Sequence, residues 1–570
     1  KINANDPEAE IGIVDNDQLL KNDKKDPINK NHLQSVKEIL LETRILKIFD
    51  NNEKIKKYYF DKSIRKLWKR AFNAEPDDLD KMVTELKNQK EHENIHEKLV
   101  ADAFLDEYRK TVDLPMPKNY KLKNPANQKL MLEPFLMQRY VAYKVKNLKS
   151  FGNFSGPGAG KTLSALIASR TIDSKLTLIL CPLDTIQNWR DYIENSFSES
   201  KIIFGKSAFN VKRNEEKFQY LVVNYDKFNQ NNSSDMVLKL AHQKIDFVVL
   251  DELHWAKQTT PRGIKKRREN LEILLSNARK RNPEIKILGL SATPVVNNLQ
   301  EGISLLQLMT GHNKDHLKPR DTVTNAVKIY QELSKISIRQ IPEYKEPLYT
   351  TSYVDIDSLT DEQKQFLTNK PMAMEQILTD VRLPEIIKRI DGQTIIYTEY
   401  LGTDDPSKQK IIDKIQSAVE LADFSCGLFV GKDKSGLDKF KKKEIQVLIA
   451  SKPISTGIDG LQKICNNLIF NTLPWTNAQY IQTIGRLVRT GQEKEVKIHH
   501  ILAGFKIRIN SSEKDSLLSY PYDELKMGRI NYKRTLADCA VDGKLPEAKL
   551  ITPSKVNSEA VKWLNRLVNT

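Results

Sequence analysis

Cysteine is scarce in this chain of 570 residues: Cys181, Cys426, Cys465 and Cys539 are the four thiols, and no two of them form a CxxC pair. Such spacing speaks against a disulfide framework and against a structural zinc site. It places the chain in a reducing, intracellular compartment, whether cytoplasm, nucleus or virion. Long apolar runs are missing as well. None approaches the roughly 18 residues that span a bilayer, so no membrane association is expected. No tandem repeat is evident beyond one duplicated α/β pattern, and no nuclease constellation stands out. Acidic residues are outnumbered, 74 Asp+Glu against 91 Lys+Arg, which leaves a net charge of +17. An excess of that size suits a polyanionic partner, but it also suits a Lys-rich solvated surface, and charge alone does not separate the two. The chain opens on Lys1, as a processed chain or one cut from a longer one would, so a targeting segment is not read either way.

At 570 residues the chain exceeds a single core, and about 100–200 residues per domain gives three or four domains. Residues 1–30, rich in Asn, Asp and Lys, are expected to be disordered or loosely attached. Over residues 31–125 apolar positions such as Leu33, Val36, Ile39 and Leu40 recur at the spacing of one helix face. This stretch is expected to be a helical accessory region, either layered on the rest of the molecule or serving as a docking surface. After Asn124-Pro125 the pattern changes to short β-rich runs alternating with helical stretches. Leu176–Leu180, Tyr220–Val223, Phe247–Leu250 and Ile285–Leu288 read as buried strands, and a second set follows at Thr394–Tyr397, Gln446–Ala450 and Asn467–Phe470. The expected fold is α/β: two parallel-sheet lobes in tandem, residues 126–312 and 376–510, with helical additions at both ends. Residues 313–375 are expected to be a helical linker region and residues 511–570 a basic helical tail.

Two motifs at opposite ends of this pattern carry chemistry. Residues 155–162 read SGPGAGKT. Gly156, Gly158 and Gly160 let backbone N–H groups close around phosphate oxygens, Lys161 offers a cation to the β- and γ-phosphates, and the Thr162 hydroxyl can ligate Mg²⁺. The helix that starts here turns its positive end to the same phosphates. About 90 residues on, Asp251-Glu252-Leu253-His254 follows an apolar run, at the carboxyl end of a predicted strand, where α/β sheets bind ligands. There Asp251 would hold Mg²⁺ through water, Glu252 would orient and deprotonate an attacking water, and His254 would link this site to the rest of the lobe. ATP and Mg²⁺ are thus the expected cofactors.

Further motifs follow in a fixed order. Residues 182–189 end in Asn188-Trp189, residues 223–226 read VNYD, and 251–258 read DELHWAKQ. Residues 288–306 read LGLSATPVVNNLQEGISLL, 455–460 read STGIDG, and 482–492 read QTIGRLVRTGQ. In this order and spacing the chain resembles superfamily 2 helicase-like ATPases, and within them the Snf-type branch. The resemblance spans roughly residues 130–505. It implies two RecA-like lobes, Arg486 and Arg489 as arginine fingers, Gln138 as a reader of adenine, and Gly457 and Asp459 at the nucleotide. It also implies that Ser291, Ala292 and Thr293 couple the ATP site to a nucleic-acid track. Gly485 stands where the Snf branch usually has an acidic residue. The stretch around Cys539 weakly resembles the transcription-associated ATPases of large cytoplasmic DNA viruses.

The implied function is a DNA-dependent ATP hydrolase, foremost a translocase on duplex DNA that remodels protein–DNA or polymerase complexes. A strand-separating DNA or RNA helicase and a DNA-binding ATPase subunit of a transcription complex are the alternatives. DNA is the expected partner, with RNA polymerase or another protein complex at the N-terminal helices. Lys265, Lys266, Arg267 and Arg268 form a basic run that would bind phosphates without reading sequence, or would simply face solvent. Trp475 would stack on a base or pack at a lobe edge.

Overall fold

The structure, a computed structural model, describes residues 51–546 except 89–94, 125–126, 232, 257–258, 261–262, 265, 297, 364–373, 403–409, 432, 456–457, 459 and 512–513, together with Ile45, Ile48, Phe49, Glu559, Lys562 and Trp563. The expectations for residues 1–30, Lys265, Gly457 and Asp459 lie outside the described residues.

The first lobe is built on runs such as Leu176–Cys181 and Phe247–Leu250, every residue of which is buried. Runs of this kind leave no face for water, so helices cover both sides and the strands run parallel. Seven strands lie in the order Ser337–Ile338, Ser150–Asn153, Lys286–Leu290, Phe247–Leu250, Leu176–Cys181, Phe218–Asn224, Ser200–Phe204, parallel at every pairing. This order sets the carboxyl ends of three neighbouring strands side by side. From those ends the glycine loop, the SAT turn and the Asp251-Glu252 turn emerge, so chain topology alone brings the three motifs together.

The second lobe repeats the plan. Its strands lie in the order Leu348–Ile356, Lys497–Ser511, Asn467–Phe470, Thr394–Tyr397, Val447–Ala450, Cys426–Phe429, all parallel, with Lys514–Tyr520 antiparallel to Lys497–Ser511. The expected class, two tandem RecA-like lobes, is therefore the fold observed.

Two expected boundaries are corrected. Residues 313–375 are not a separate helical linker. Helix Val323–Lys335 lays Ala326, Ile329 and Leu333 into the core of the first lobe, Ser337–Ile338 joins its sheet, and Leu348–Ile356 joins the sheet of the second lobe. Residues 339–347 carry the chain from the first lobe to the second. The tail is not wholly helical either: Lys514–Tyr520 is a strand, and among the described residues Tyr522–Asp542 is its long helix. That helix braces both lobes. Its start joins a buried ion cluster in which Arg382 contacts Glu375 and Asp523, and Lys526 contacts Glu375. Its end contributes Leu536, Cys539 and Val541 to the first core, and Lys533 reaches Asp321 at 2.6 Å.

The N-terminal helices Asn52–Asn73, Pro76–Asn88 and Ile95–Val112 are layered on the first lobe. Trp68, Ala71, Met82 and Phe104 share one core with Tyr140, Leu163 and Leu166. Trp68 is fully buried; its indole N–H donates to Glu107 at 2.8 Å, and its ring lies 4.2 Å from that of Tyr140. All four cysteines are free thiols, and among the described residues no helix is long and apolar enough to cross a membrane.

Strand Lys497–Ser511 buries two adjacent histidines. His500 stacks on Phe470 at 5.5 Å and bonds Tyr480 at 3.0 Å; His499 bonds Asn467 at 2.9 Å. Burial pushes both imidazoles down to about 4 from an ordinary 6.5. The unfolded chain therefore takes up these protons first as pH falls. Their stabilising contribution is complete above about pH 6.5 and is lost towards pH 4. The urea midpoint is expected to drop between pH 7 and pH 5, and to drop less in a His499→Asn, His500→Phe double variant. Equal pH slopes for the two proteins would refute this assignment.

Candidate functional site

The glycine loop leads straight into helix Lys161–Thr171. Gly160 caps that helix at φ 75° without a side-chain cap bond, so the first-turn N–H groups remain directed at whatever anion sits before them. Gly158 has φ 76°, and both values lie in the left-handed region that only glycine enters freely. The Lys161 ammonium donates to the carbonyls of Ser155 and Gly156, each at 2.9 Å. Burial lowers its pKa, against the pull of the Glu252 and Asp251 carboxylates, which raise it. Gln138 is buried against this loop. Its Oε1 accepts the Phe135 N–H at 2.9 Å and its Nε2 donates to the Gly160 carbonyl at 3.1 Å, so it braces the loop from helix Leu136–Asn147.

Asp251 and Glu252 form a buried acidic pair. Asp251 accepts the indole N–H of Trp189 at 2.8 Å and the Glu252 N–H at 3.0 Å. Burial, reinforced by the Glu252 charge, pushes Asp251 up to about 7. Burial acts on Glu252 in the same direction, but His254, Lys161 and Arg486 together outweigh it and hold the carboxyl down to about 2. Glu252 adopts φ 46°, an uncommon conformation for a residue with a side chain and one that recurs at active sites. Its Oε2 is buried without a hydrogen-bond partner, and His254 Nδ1 lies 3.2 Å away. The same imidazole nitrogen lies 3.5 Å from Ser291 Oγ, and Ser291 Oγ accepts the Thr293 N–H at 3.2 Å. Ser291, Ala292 and Thr293 are all buried, so this stretch is a packed strand end as well as a neighbour of the acidic pair.

The second lobe meets the glycine loop at residues 485–490. A Cβ placed on Gly158 would stand 3.0 Å from the Tyr344 hydroxyl, 3.6 Å from Thr490 Oγ1 and 3.8 Å from Arg489 Cβ; one on Gly485 would stand 3.3 Å from Pro157 Cγ. A Cβ at Gly485 would meet the Ile481 carbonyl of its own helix at 3.1 Å as well as Pro157 across the lobe boundary. Arg486 donates to the carbonyls of Ile458 at 2.8 Å and Ser455 at 2.5 Å. Its charge acts on Glu252, and that of Arg489 acts on Lys161. Lys161, Glu252, Arg486 and Arg489 therefore share one electrostatic site.

The basic run is corrected. Arg267 and Arg268 are 4 % and 1 % exposed. Arg267 pairs with Asp226 at 2.6 Å and lies 5.5 Å from the Trp255 ring. Arg268 pairs with Glu272 at 2.7 Å and donates to the Ser304 carbonyl at 2.9 Å. Both guanidinium groups hold helix Lys266–Arg281 in place rather than facing a ligand; Lys266 is exposed. Trp475 packs at the lobe edge: its indole bonds Tyr400, and the Lys526 ammonium lies 4.6 Å from its ring.

Sequence reasoning missed the crossover segment. Arg339 donates to the carbonyls of Ala292 at 2.7 Å and Phe154 at 2.8 Å. The Gln340 N–H donates to Ser155 Oγ at 3.0 Å, and the Gly156 N–H donates to the Gln340 carbonyl at 2.7 Å. Only the position of the chain between the lobes, not any local pattern, signals these contacts.

A glycine loop with a buried lysine in one parallel-sheet lobe thus lies against residues 485–490 of a second, and the family matches below make the chain an ATP hydrolase of the helicase and translocase class. The type III restriction enzyme res subunit family (ResIII) matches residues 131–296, and the helicase conserved C-terminal domain family matches residues 375–491. An uncharacterized ATP-dependent helicase of Bacillus subtilis (strain 168), YqhH, is 24 % identical over 422 residues, 60 % of this chain and 70 % of that protein. A solved SWI2/SNF2 ATPase core of Sulfolobus solfataricus, in complex with dsDNA, is 15 % identical and covers 69 % of this chain and 90 % of that one, with a TM-score of 0.34. The chain is thus similar, in both matched regions and in its motif order, to helicase-family ATPases.

Proposed function

We propose that this ATPase is driven by nucleic acid and translocates on duplex DNA, remodelling protein–DNA or polymerase complexes. The observation that carries the reading is the meeting of both lobes at Gly158. A ligand seated there touches groups from each lobe, so its binding and cleavage change how the lobes fit together. Lys161 binds the β- and γ-phosphates, and Glu252, ionised by its cationic neighbours, orients the attacking water. Arg486 and Arg489 stabilise charge spreading over the transferred phosphoryl, and Gln138 would read adenine by exchanging its present bonds to Phe135 and Gly160.

The donor set suits Mg²⁺. Thr162 and Asp251 offer the hard oxygens that such a cation takes. That agrees with a cation held by one or two side chains plus phosphates. When bound, it neutralises charge on the phosphate oxygens. His254, between Glu252 and Ser291, is the route by which the acidic pair senses the strand end that the Snf-type pattern assigns to the nucleic-acid track.

The test is the ATPase rate across single- and double-stranded DNA and RNA, with triplex displacement run beside strand unwinding. Stimulation by duplex DNA and triplex displacement without unwinding are expected. Unwinding of a forked substrate would favour the helicase reading instead. A DNA-independent rate would remove the nucleic acid from the mechanism.

A further inference from the structure

The crossover between the lobes does more than connect them. Residues 339–347 run along the glycine loop, pinned there by the paired bonds of Gln340 with Ser155 and Gly156. Pro342 and Ile341 close over Gly156, with the Pro342 ring 3.4 Å from where a Cβ would stand. Asn73, at the end of the first N-terminal helix, holds the segment from behind: its Nδ2 donates to the Ile341 carbonyl at 3.2 Å, and its Oδ1 accepts from Gln340 at 3.0 Å. The segment is thus a fixed strap, and it delivers Tyr344 to the lobe boundary. The Tyr344 hydroxyl donates to the Pro157 carbonyl at 2.7 Å. It also lies 3.0 Å from the Cβ position of Gly158, where Thr490 Oγ1 and Arg489 Cβ converge.

We infer that Tyr344 is a positioning residue for ATP hydrolysis: its hydroxyl clasps the glycine loop to Thr490 and so sets Arg489 over the triphosphate. A phenol suits this task because one oxygen donates once and accepts as well. Here it gives its proton to Pro157 at 2.7 Å and presents its oxygen at the same Gly158 Cβ position that Thr490 Oγ1 approaches to 3.6 Å. The neighbouring residue, Arg489, then inherits a fixed backbone origin relative to Lys161. Without that origin, a long side chain samples many rotamers, and a misplacement of about 1 Å in a catalytic group lowers turnover by up to about a hundredfold. The left-handed Gly158 completes the fit, since any side chain there would displace the hydroxyl.

This inference rests on Arg489 acting on the triphosphate, and a double-mutant cycle separates the two. Tyr344→Phe keeps the ring and removes the hydroxyl; Thr490→Val removes the other half of the clasp. In the full-length chain with saturating ATP and DNA, Tyr344→Phe is expected to lower kcat by about tenfold while the KM for ATP stays within about twofold. Thr490→Val is expected to lower kcat in the same sense. In an Arg489→Ala background, Tyr344→Phe is expected to have no further effect, because there is no finger left to place. A normal kcat for Tyr344→Phe overturns the clasp. So does a tenfold loss that persists in the Arg489→Ala background, which would assign Tyr344 to the glycine loop alone. A raised KM with unchanged kcat overturns it as well. If Arg489→Ala itself turns over normally, the finger fails, and that result is read from the single variant before Tyr344 is considered.

Discussion

Arg489→Ala is expected to reduce ATP turnover by roughly three orders of magnitude or more, the range typical of arginine fingers, while nucleotide still binds. The separation follows from where the groups sit. Lys161 and the open amides of helix Lys161–Thr171 belong to the first lobe, and they hold the phosphates whatever residue 489 is. Arg489 comes from the second lobe and meets the glycine loop at Gly158. What it adds is stabilisation of charge that develops as the γ-phosphoryl leaves, so its loss falls on kcat rather than on binding. Arg489→Lys is expected not to rescue, since a point charge cannot reproduce a planar fork of donors. Single-turnover kinetics with a fluorescent nucleotide check both parts. Near-normal DNA-stimulated turnover in Arg489→Ala would mean that the two-lobed cleft does not work as described and that residues 482–492 are structural.

The parts legible in the sequence are those whose chemistry confines them to a few adjacent residues. Phosphate binding needs glycines beside a lysine at a helix start, and SGPGAGKT shows all three. Fully buried parallel strands need unbroken apolar runs, and Phe247–Leu250 is one. Strand Leu348–Ile356 escaped because it is a half-exposed edge: Thr350, Ser352 and Val354 alternate with exposed Tyr349, Thr351 and Tyr353, and no core-like run marks it. Arg267 and Arg268 were misjudged for a different reason. A run of cations looks solvated unless its partners are known, and Asp226 and the Ser304 carbonyl lie 41 and 36 residues away. The same holds for Tyr344 and Pro157, 187 residues apart. Contacts between residues distant in sequence leave no periodicity in either segment, so the Tyr344–Pro157 bond, the Trp189–Asp251 bond and the helix that braces both lobes emerge only from the folded chain.

Lys161→Ala and Glu252→Gln are both expected to abolish turnover, but with opposite effects on ATP binding. Lys161 supplies the only side-chain cation of the glycine loop itself. Burial already disfavours its charge, so the ion is maintained by what it faces: Glu252 and Asp251 without nucleotide, the β- and γ-phosphates with it. Removing it deletes a charge-assisted contact present in ground state and transition state alike, and ATP affinity falls along with rate. Glu252 differs because it handles the attacking water. With the carboxyl held down to about 2, it is ionised across the physiological range and can orient the water as a hydrogen-bond acceptor. Glu252→Gln keeps the shape and removes the carboxylate. It also removes one negative charge from a buried pair that faces incoming phosphates, so ATP is expected to bind at least as tightly as in the unaltered chain and to remain uncleaved. Equilibrium titration with ATP, followed by chromatographic analysis of the bound nucleotide, distinguishes the two: weak binding for Lys161→Ala, stoichiometric intact ATP for Glu252→Gln. Equal affinities, or ADP recovered from Glu252→Gln, would remove Glu252 from the water-activating role.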